Sequence, residues 1–238
     1  MPPKNSLLFV AGLITIFILA NMAQQGARET AHVPEGEGYA SMLIPAVDSK
    51  GEGLVTNLTV QVKPGSGRSL VDINDLSFWV DTQNSIRTAK DVAEKVTGIG
   101  LNNYDIVYSI VTNASAVEGP SAGSAIAIAT VAALQDKKLR HDAMITGTIN
   151  PDGSIGKVGD VVQKAAAAKS LNATLFLVPV GQLTQTVSGY EKLCKNYLFS
   201  KICSSAWRTR EISLEKDVGI RVVEVKDIKD ALGYMVIQ

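Results

Sequence analysis

Near the N-terminus, Leu7 to Ala20 (LLFVAGLITIFILA) is almost wholly apolar. No polar face interrupts this run, which argues against an ordinary core helix. Lys4 precedes it, and no acidic residue occurs before Glu29. A short basic flank followed by such a stretch reads as a signal peptide or a membrane anchor over residues 1–25. Cleavage after Ala23 would put Asn21 at the third position before the cut, a poor fit, so an uncleaved anchor through residues 7–23 is the favoured expectation. Arg28 follows the run, but together with Glu29, Glu35 and Glu37. The excess of positive charge before the run then places the N-terminus in the cytoplasm and the remainder outside. The expected location is therefore membrane-anchored with an extracytoplasmic domain, or secreted if the N-terminus is removed.

With that segment set aside, about 200 residues remain, enough for one domain, or one domain with an insertion. Apolar residues make up 46 % and charged ones 19 %, a globular composition. Lys plus Arg and Asp plus Glu are 23 each, so no basic excess suggests a nucleic-acid partner. Two histidines and two cysteines argue against a multi-histidine metal site or a zinc-binding Cys pair, and no metal or cofactor is expected. Three glycosylation triplets begin at Asn57, Asn113 and Asn172, although such triplets also arise by chance. Cys194 and Cys203 are close enough in sequence for a local disulfide in an oxidising compartment, and two free thiols are the alternative.

Residues 26–37 are polar with Gly and Pro, and read as a linker. Residues 38–47 and 53–67 are rich in β-formers, the second run ending at a Pro-Gly turn. The pattern then predicts a helix over Ser85–Val96, a strand over Tyr104–Val111 and a helix of small and branched residues over Pro120–Leu134. A strand over Ala143–Ile149, a Gly-punctuated loop, a helix over Asp160–Leu171 and a strand over Thr174–Val180 follow. Residues 182–217 are polar, hold both cysteines and Trp207, and read as an insertion containing one helix. A strand at Ile220–Val225 and a short helix at Ile228–Tyr234 close the chain. Strands and helices mix without strict alternation, so the expected class is α+β, or an irregular α/β, over residues 38–238.

The stretch Glu118-Gly-Pro-Ser-Ala-Gly123 holds the candidate chemistry. Pro120 suits the first turn of a helix, and Gly119 and Gly123 allow close approach. Ser121 would then stand at a helix start, where unpaired N–H groups can hold a developing oxyanion. A serine there is also a common helix cap. A nucleophilic serine needs a base. His32 lies in the linker and His141 in a charged turn, which leaves lysine. A lysine acts as base only when neutral, and burial favours that form. Lys164 shares a helical face with Val161, Ala165 and Ala168, and Lys169 has a similar claim; periodicity does not choose between them.

This sequence resembles the proteolytic domain of the Lon proteases. The family nucleophile lies in a (Asp)-Gly-Pro-Ser-Ala-Gly motif. Ile145-Thr-Gly-Thr-Ile149 and Asp152-Gly-Ser-Ile-Gly-Lys-Val-Gly159 resemble the family's next strand and Gly-rich loop. Counted in register from Ser121, Lys164 corresponds to the family lysine. Thr174-Leu-Phe-Leu-Val-Pro179 and Gly219-Ile-Arg-Val-Val-Glu-Val225 resemble later strands, and Val60 to Gly67 an early hairpin. The resemblance implies a ribosomal-protein-S5-domain-2-like fold. It also implies a Ser121–Lys164 dyad, Glu118 in place of an aspartate, and Thr146 accepting a hydrogen bond from the lysine. Backbone donors near Ser121 and Ala122 would hold the oxyanion, with Gly119 in support. Thr148 replaces a frequent glutamate.

No phosphate loop of the Gly-Lys-Ser/Thr kind is present, and the sequence resembles the small membrane-linked archaeal Lon-like proteins without their own motor; the resemblance implies ATP-independent cleavage of unfolded or flexible polypeptides. A homo-oligomer, hexameric by resemblance, is expected. The alternatives are an exported binding or assembly module on the same fold, and an SxxK enzyme using Ser213 and Lys216.

Overall fold

The computed structural model describes residues 36–72, 80–111, 119–198 and 200–237. The apolar run at 7–20, most of the linker, His32 and Glu118 lie outside them. Among the described residues no helix is long and apolar enough to cross a membrane.

Strands β1 (Gly38–Val47), β2 (Gly53–Pro64), β3 (Ser69–Val71) and β4 (Tyr104–Val111) form one sheet in the order β1-β2-β4-β3. Its first three members are antiparallel neighbours, and β3 joins β4 in parallel. Alternation decides which face is covered. Met42 and Ile44 of β1, Leu58 and Val60 of β2, and Ile106 and Tyr108 of β4 are all buried on one side. Two helices pack on that side: α1 (Val80–Thr97), which buries Ile86, Ala89, Val92 and Ala93, and α2 (Gly123–Leu134). Every residue of α2 is buried. A helix with apolar residues all round must be enclosed on all sides. Here α1, the β1–β2 face and the C-terminal helix α4 (Ile228–Met235) surround it.

A second, parallel sheet has the order β11 (Arg221–Val225), β8 (Leu175–Pro179), β5 (Ala143–Ile145). All of β8 is buried, as expected for the middle strand of a covered parallel sheet. Helix α3 (Val161–Ser170) lays Val161, Ala165 and Ala168 against Phe176, Val178 and Val222. Fold class and element order agree with the α+β expectation.

Three details differ from the sequence expectation. The strand expected over Ala143–Ile149 breaks at Gly147, whose φ of 154° lies outside ordinary strand geometry. Its second part, β6 (Thr148–Ile149), pairs instead with β7 (Ile155–Gly156) across the Gly-rich loop. The short β3 was not expected. The insertion is a long hairpin of β9 (Thr184–Tyr197) and β10 (Ser200–Ser213), not a helix; only a π-type turn at Leu214–Val218 follows it. Both faces of the hairpin meet water, so no alternation of apolar and polar residues marks it in the sequence. Cys194 and Cys203 face each other across the strands and form a disulfide.

Candidate active site

The serine sits where the chain enters α2. Gly119 has φ 98°, a conformation that side chains rarely adopt, and starts a 3₁₀ turn, Pro120–Ala122. Gly123 then opens the helix against β6. A Cβ there would lie 2.9 Å from the Ile149 nitrogen, so only glycine allows this approach. The Ser121 carbonyl accepts from the Gly147 N–H (3.0 Å) and from the Thr146 hydroxyl (3.4 Å). Ser124 N–H donates to the Gly147 carbonyl (3.0 Å), and Thr146 N–H to the Leu177 carbonyl (3.1 Å). The break in the β5–β6 strand therefore has a structural use: it turns backbone groups toward the serine turn and ties that turn to the parallel sheet.

The lysine comes from α3. Asp160 precedes the helix in a left-handed conformation (φ 55°), and its carbonyl accepts from the Lys164 N–H at 3.0 Å. Lys164 lies on the buried face of α3 and is only 5 % exposed. Its Nζ donates to the Gly159 carbonyl at 3.1 Å. Burial pushes the Lys164 ammonium below the ordinary lysine value, and the negative charge of Asp160 offsets part of that shift. Lys169, the other helical candidate, is exposed.

Ser121 and Lys164 line one cleft of about 290 Å³, together with Gly119, Pro120, Thr148, Lys157, Gly159 and Asp160. Thr146 lies beneath it, fully buried, and Ala122 follows Ser121 in the same turn. The resemblance assigns Thr146 a hydrogen bond from the lysine. In the structure its hydroxyl donates to the Ser121 carbonyl, and the lysine donates to Gly159. Lys157 and Asp160 escaped the sequence reading because loop residues carry no periodicity. Their one signal was their place at the end of the Gly-rich segment, Lys157-Val-Gly-Asp160. His141 is exposed. Ser213 ends β10 and Lys216 is exposed in the turn after it, and neither lines the cleft.

A buried lysine and a serine at a helix start, brought into one cleft by separate elements, are groups from which Ser–Lys chemistry can be built. Residues 81–197 match the model of the Lon protease (S16) C-terminal proteolytic domain. Over those residues the chain is similar to the proteolytic domain of the Lon proteases. An archaeal Lon protease from Methanocaldococcus jannaschii is 28 % identical over 165 residues, covering 65 % of this chain and 25 % of that protein. Lon protease 2 from Thermus thermophilus is 30 % identical over 135 residues, covering 53 % and 16 %. Lon protease from Clostridium acetobutylicum is 34 % identical over 77 residues, covering 32 % and 10 %. The chain thus spans a quarter or less of the length of these relatives. The Lon family match ends at Tyr197, inside the hairpin.

Proposed function

We propose that this chain is a serine endopeptidase in which Ser121 is the nucleophile and Lys164 its general base. The observation that carries the reading is the shared cleft, with Lys164 buried and its charged form disfavoured. Neutral Lys164 keeps one N–H on the Gly159 carbonyl and offers its lone pair to the Ser121 hydroxyl. The serine oxygen attacks the peptide carbonyl as the lysine takes its proton. The N–H groups of Ser121 and Ala122, at the start of a helical turn, receive the oxyanion; one such donor is commonly worth about 3 kcal/mol. The lysine ammonium then protonates the leaving amine, and water releases the acyl group.

The substrates are unfolded or flexible polypeptides, and cleavage proceeds without ATP. The domain acts outside the cytoplasmic membrane, tethered through residues 7–23. The charge pattern around that run and the Cys194–Cys203 bond, which suits an oxidising compartment, support this. The working form is a homo-oligomer, hexameric by family resemblance. Thr148, lining the cleft where relatives often carry glutamate, is the feature that favours a non-catalytic binding module instead. The deciding experiment is cleavage of unfolded casein without ATP by the full chain, beside Ser121→Ala and Lys164→Ala of equal circular dichroism. Cleavage by the parent and loss in both variants is expected. Cleavage that survives both substitutions sinks the dyad.

A further inference from the structure

The β9–β10 hairpin stands apart from the chemistry. Of its two strands only Ile212 is buried. Yet it carries large apolar residues in the open. Tyr190 and Trp207 are 77 % and 60 % exposed and meet edge to face at 5.0 Å. Toward the tip, beyond the disulfide, Tyr197, Leu198 and Ile202 are exposed as well. Clusters of this size in the open normally mark an interaction surface.

The charge of the arm indicates its partner. Residues 184–213 hold five basic side chains and two acidic ones, within a chain whose net charge is zero. Of the acids, Glu191 is engaged by Arg208 at 3.4 Å. Lys195 and Lys201 flank the apolar tip, and Lys192 lies beside the disulfide. Two copies of this arm would repel each other. Strand alternation distributes the apolar residues to both faces: Tyr190 and Trp207 share one with the disulfide, and Leu193, Tyr197 and Ile202 share the other. A protein partner covers one face of such a blade, whereas a lipid–water interface wets both. Trp and Tyr with flanking Lys and Arg are the side chains that settle at that interface, and basic residues add attraction to anionic headgroups.

We propose that the β9–β10 hairpin is a membrane-docking arm that inserts its tip and its Tyr190–Trp207 pair into the headgroup region of an anionic lipid surface. The disulfide between Cys194 and Cys203 holds the two strands of the arm together just below the tip. This assignment depends neither on the dyad nor on the membrane reading of residues 7–20.

The test uses the full chain with Trp79→Phe, which leaves Trp207 as its single tryptophan. Trp207 emission is followed with vesicles of phosphatidylcholine alone and of phosphatidylcholine with phosphatidylglycerol at 3:1, each carrying a shallow brominated lipid. Strong quenching in the anionic vesicles, weak quenching in the neutral ones, and a fall to the neutral-vesicle level on Lys192→Glu, Lys195→Glu and Lys201→Glu together are expected; the shallow bromines report the depth of Trp207 itself, so an anchor at residues 7–20 does not produce this pattern. Intact Cys194–Cys203 bonding in that variant is checked by mass, and the triple glutamine variant gives the same direction if the hairpin does not tolerate glutamate. Equal quenching in both vesicles, none in either, or quenching that survives loss of the lysine charges overturns the proposal. A blue shift that grows with protein concentration without lipid also overturns it, and assigns the arm to a second copy.

Discussion

Lys164 has two conflicting demands placed on it by its position. Burial lowers its pKa, which makes it a usable base, and the same burial penalises the folded state whenever the lysine is charged. Its folded pKa lies below the unfolded value, so the penalty is full below the folded pKa and fades as pH rises toward the unfolded one. Activity rises with pH through an apparent pKa below that of a free lysine, and Asp160→Asn moves this limb to lower pH, because Asp160 is the charge that pushes Lys164 upward. Asparagine tolerates the left-handed backbone at this position, so the shift reports charge rather than shape. A pH–rate profile of both proteins measures it, and an unmoved limb counts against Lys164 as the base. Lys164→Met abolishes cleavage, by about 10³-fold or more, while raising the thermal midpoint at neutral pH; a scanning calorimeter reads the second effect.

At the scale of elements, the site depends on how closely α2 can approach β6. Gly123→Ala would drive a methyl group against the Ile149 backbone nitrogen, which has no free end to swing away. Overpacking of this kind costs roughly 1–3 kcal/mol. The serine turn is tied to Gly147 through two backbone hydrogen bonds, so the loss of stability comes with a loss of activity. Urea denaturation and casein cleavage on one preparation test the pairing of the two effects. The hairpin behaves in the opposite way. It contributes little to the core, so Cys194→Ser with Cys203→Ser leaves the midpoint of the domain within a few degrees while amide exchange along β9 and β10 accelerates. A large drop in the midpoint would show that the hairpin supports the core after all.

At the scale of the molecule, the proposed dyad draws on two layers. Ser121 stands at the entrance to the helix on one face of the β1–β2 sheet, Lys164 lies in α3, which packs between the opposite face of β1–β2 and the parallel sheet, and the β5–β6 crossover ties the serine turn to that second sheet. Relative displacement of the two layers would separate base from nucleophile without altering either residue. Because the cleft lies at this seam, agents that loosen packing should abolish cleavage before the fold is lost. Casein cleavage and far-UV circular dichroism measured across one urea series are expected to show activity falling first. Coincident curves would mean that the seam opens only with global unfolding. ATP at millimolar concentration is expected to leave the initial rate unchanged in the same assay.

Most of the architecture was legible along the chain because burial imposes period on sequence. Alternation in β1, β2 and β4, the stripe of α1 and the all-apolar α2 each follow from which face must leave water. The serine was legible from its glycine-flanked turn, and the family register singled out one lysine. The break at Gly147 was hidden, since it exists to satisfy hydrogen bonds to residues far away in sequence. The hairpin was hidden too, because an element solvated on both faces leaves no periodic trace. The choice between Lys164 and Lys169 on physical grounds also had to wait for the fold. Both occupy plausible helical positions, and only the packing of α3 against the second core decides which ammonium is removed from water. The sequence by itself thus determined most of the elements and the turn of the candidate serine, which are local or periodic. The tertiary structure decided which lysine is buried, the cleft and the exposed arm, because solvation is a property of the assembled molecule.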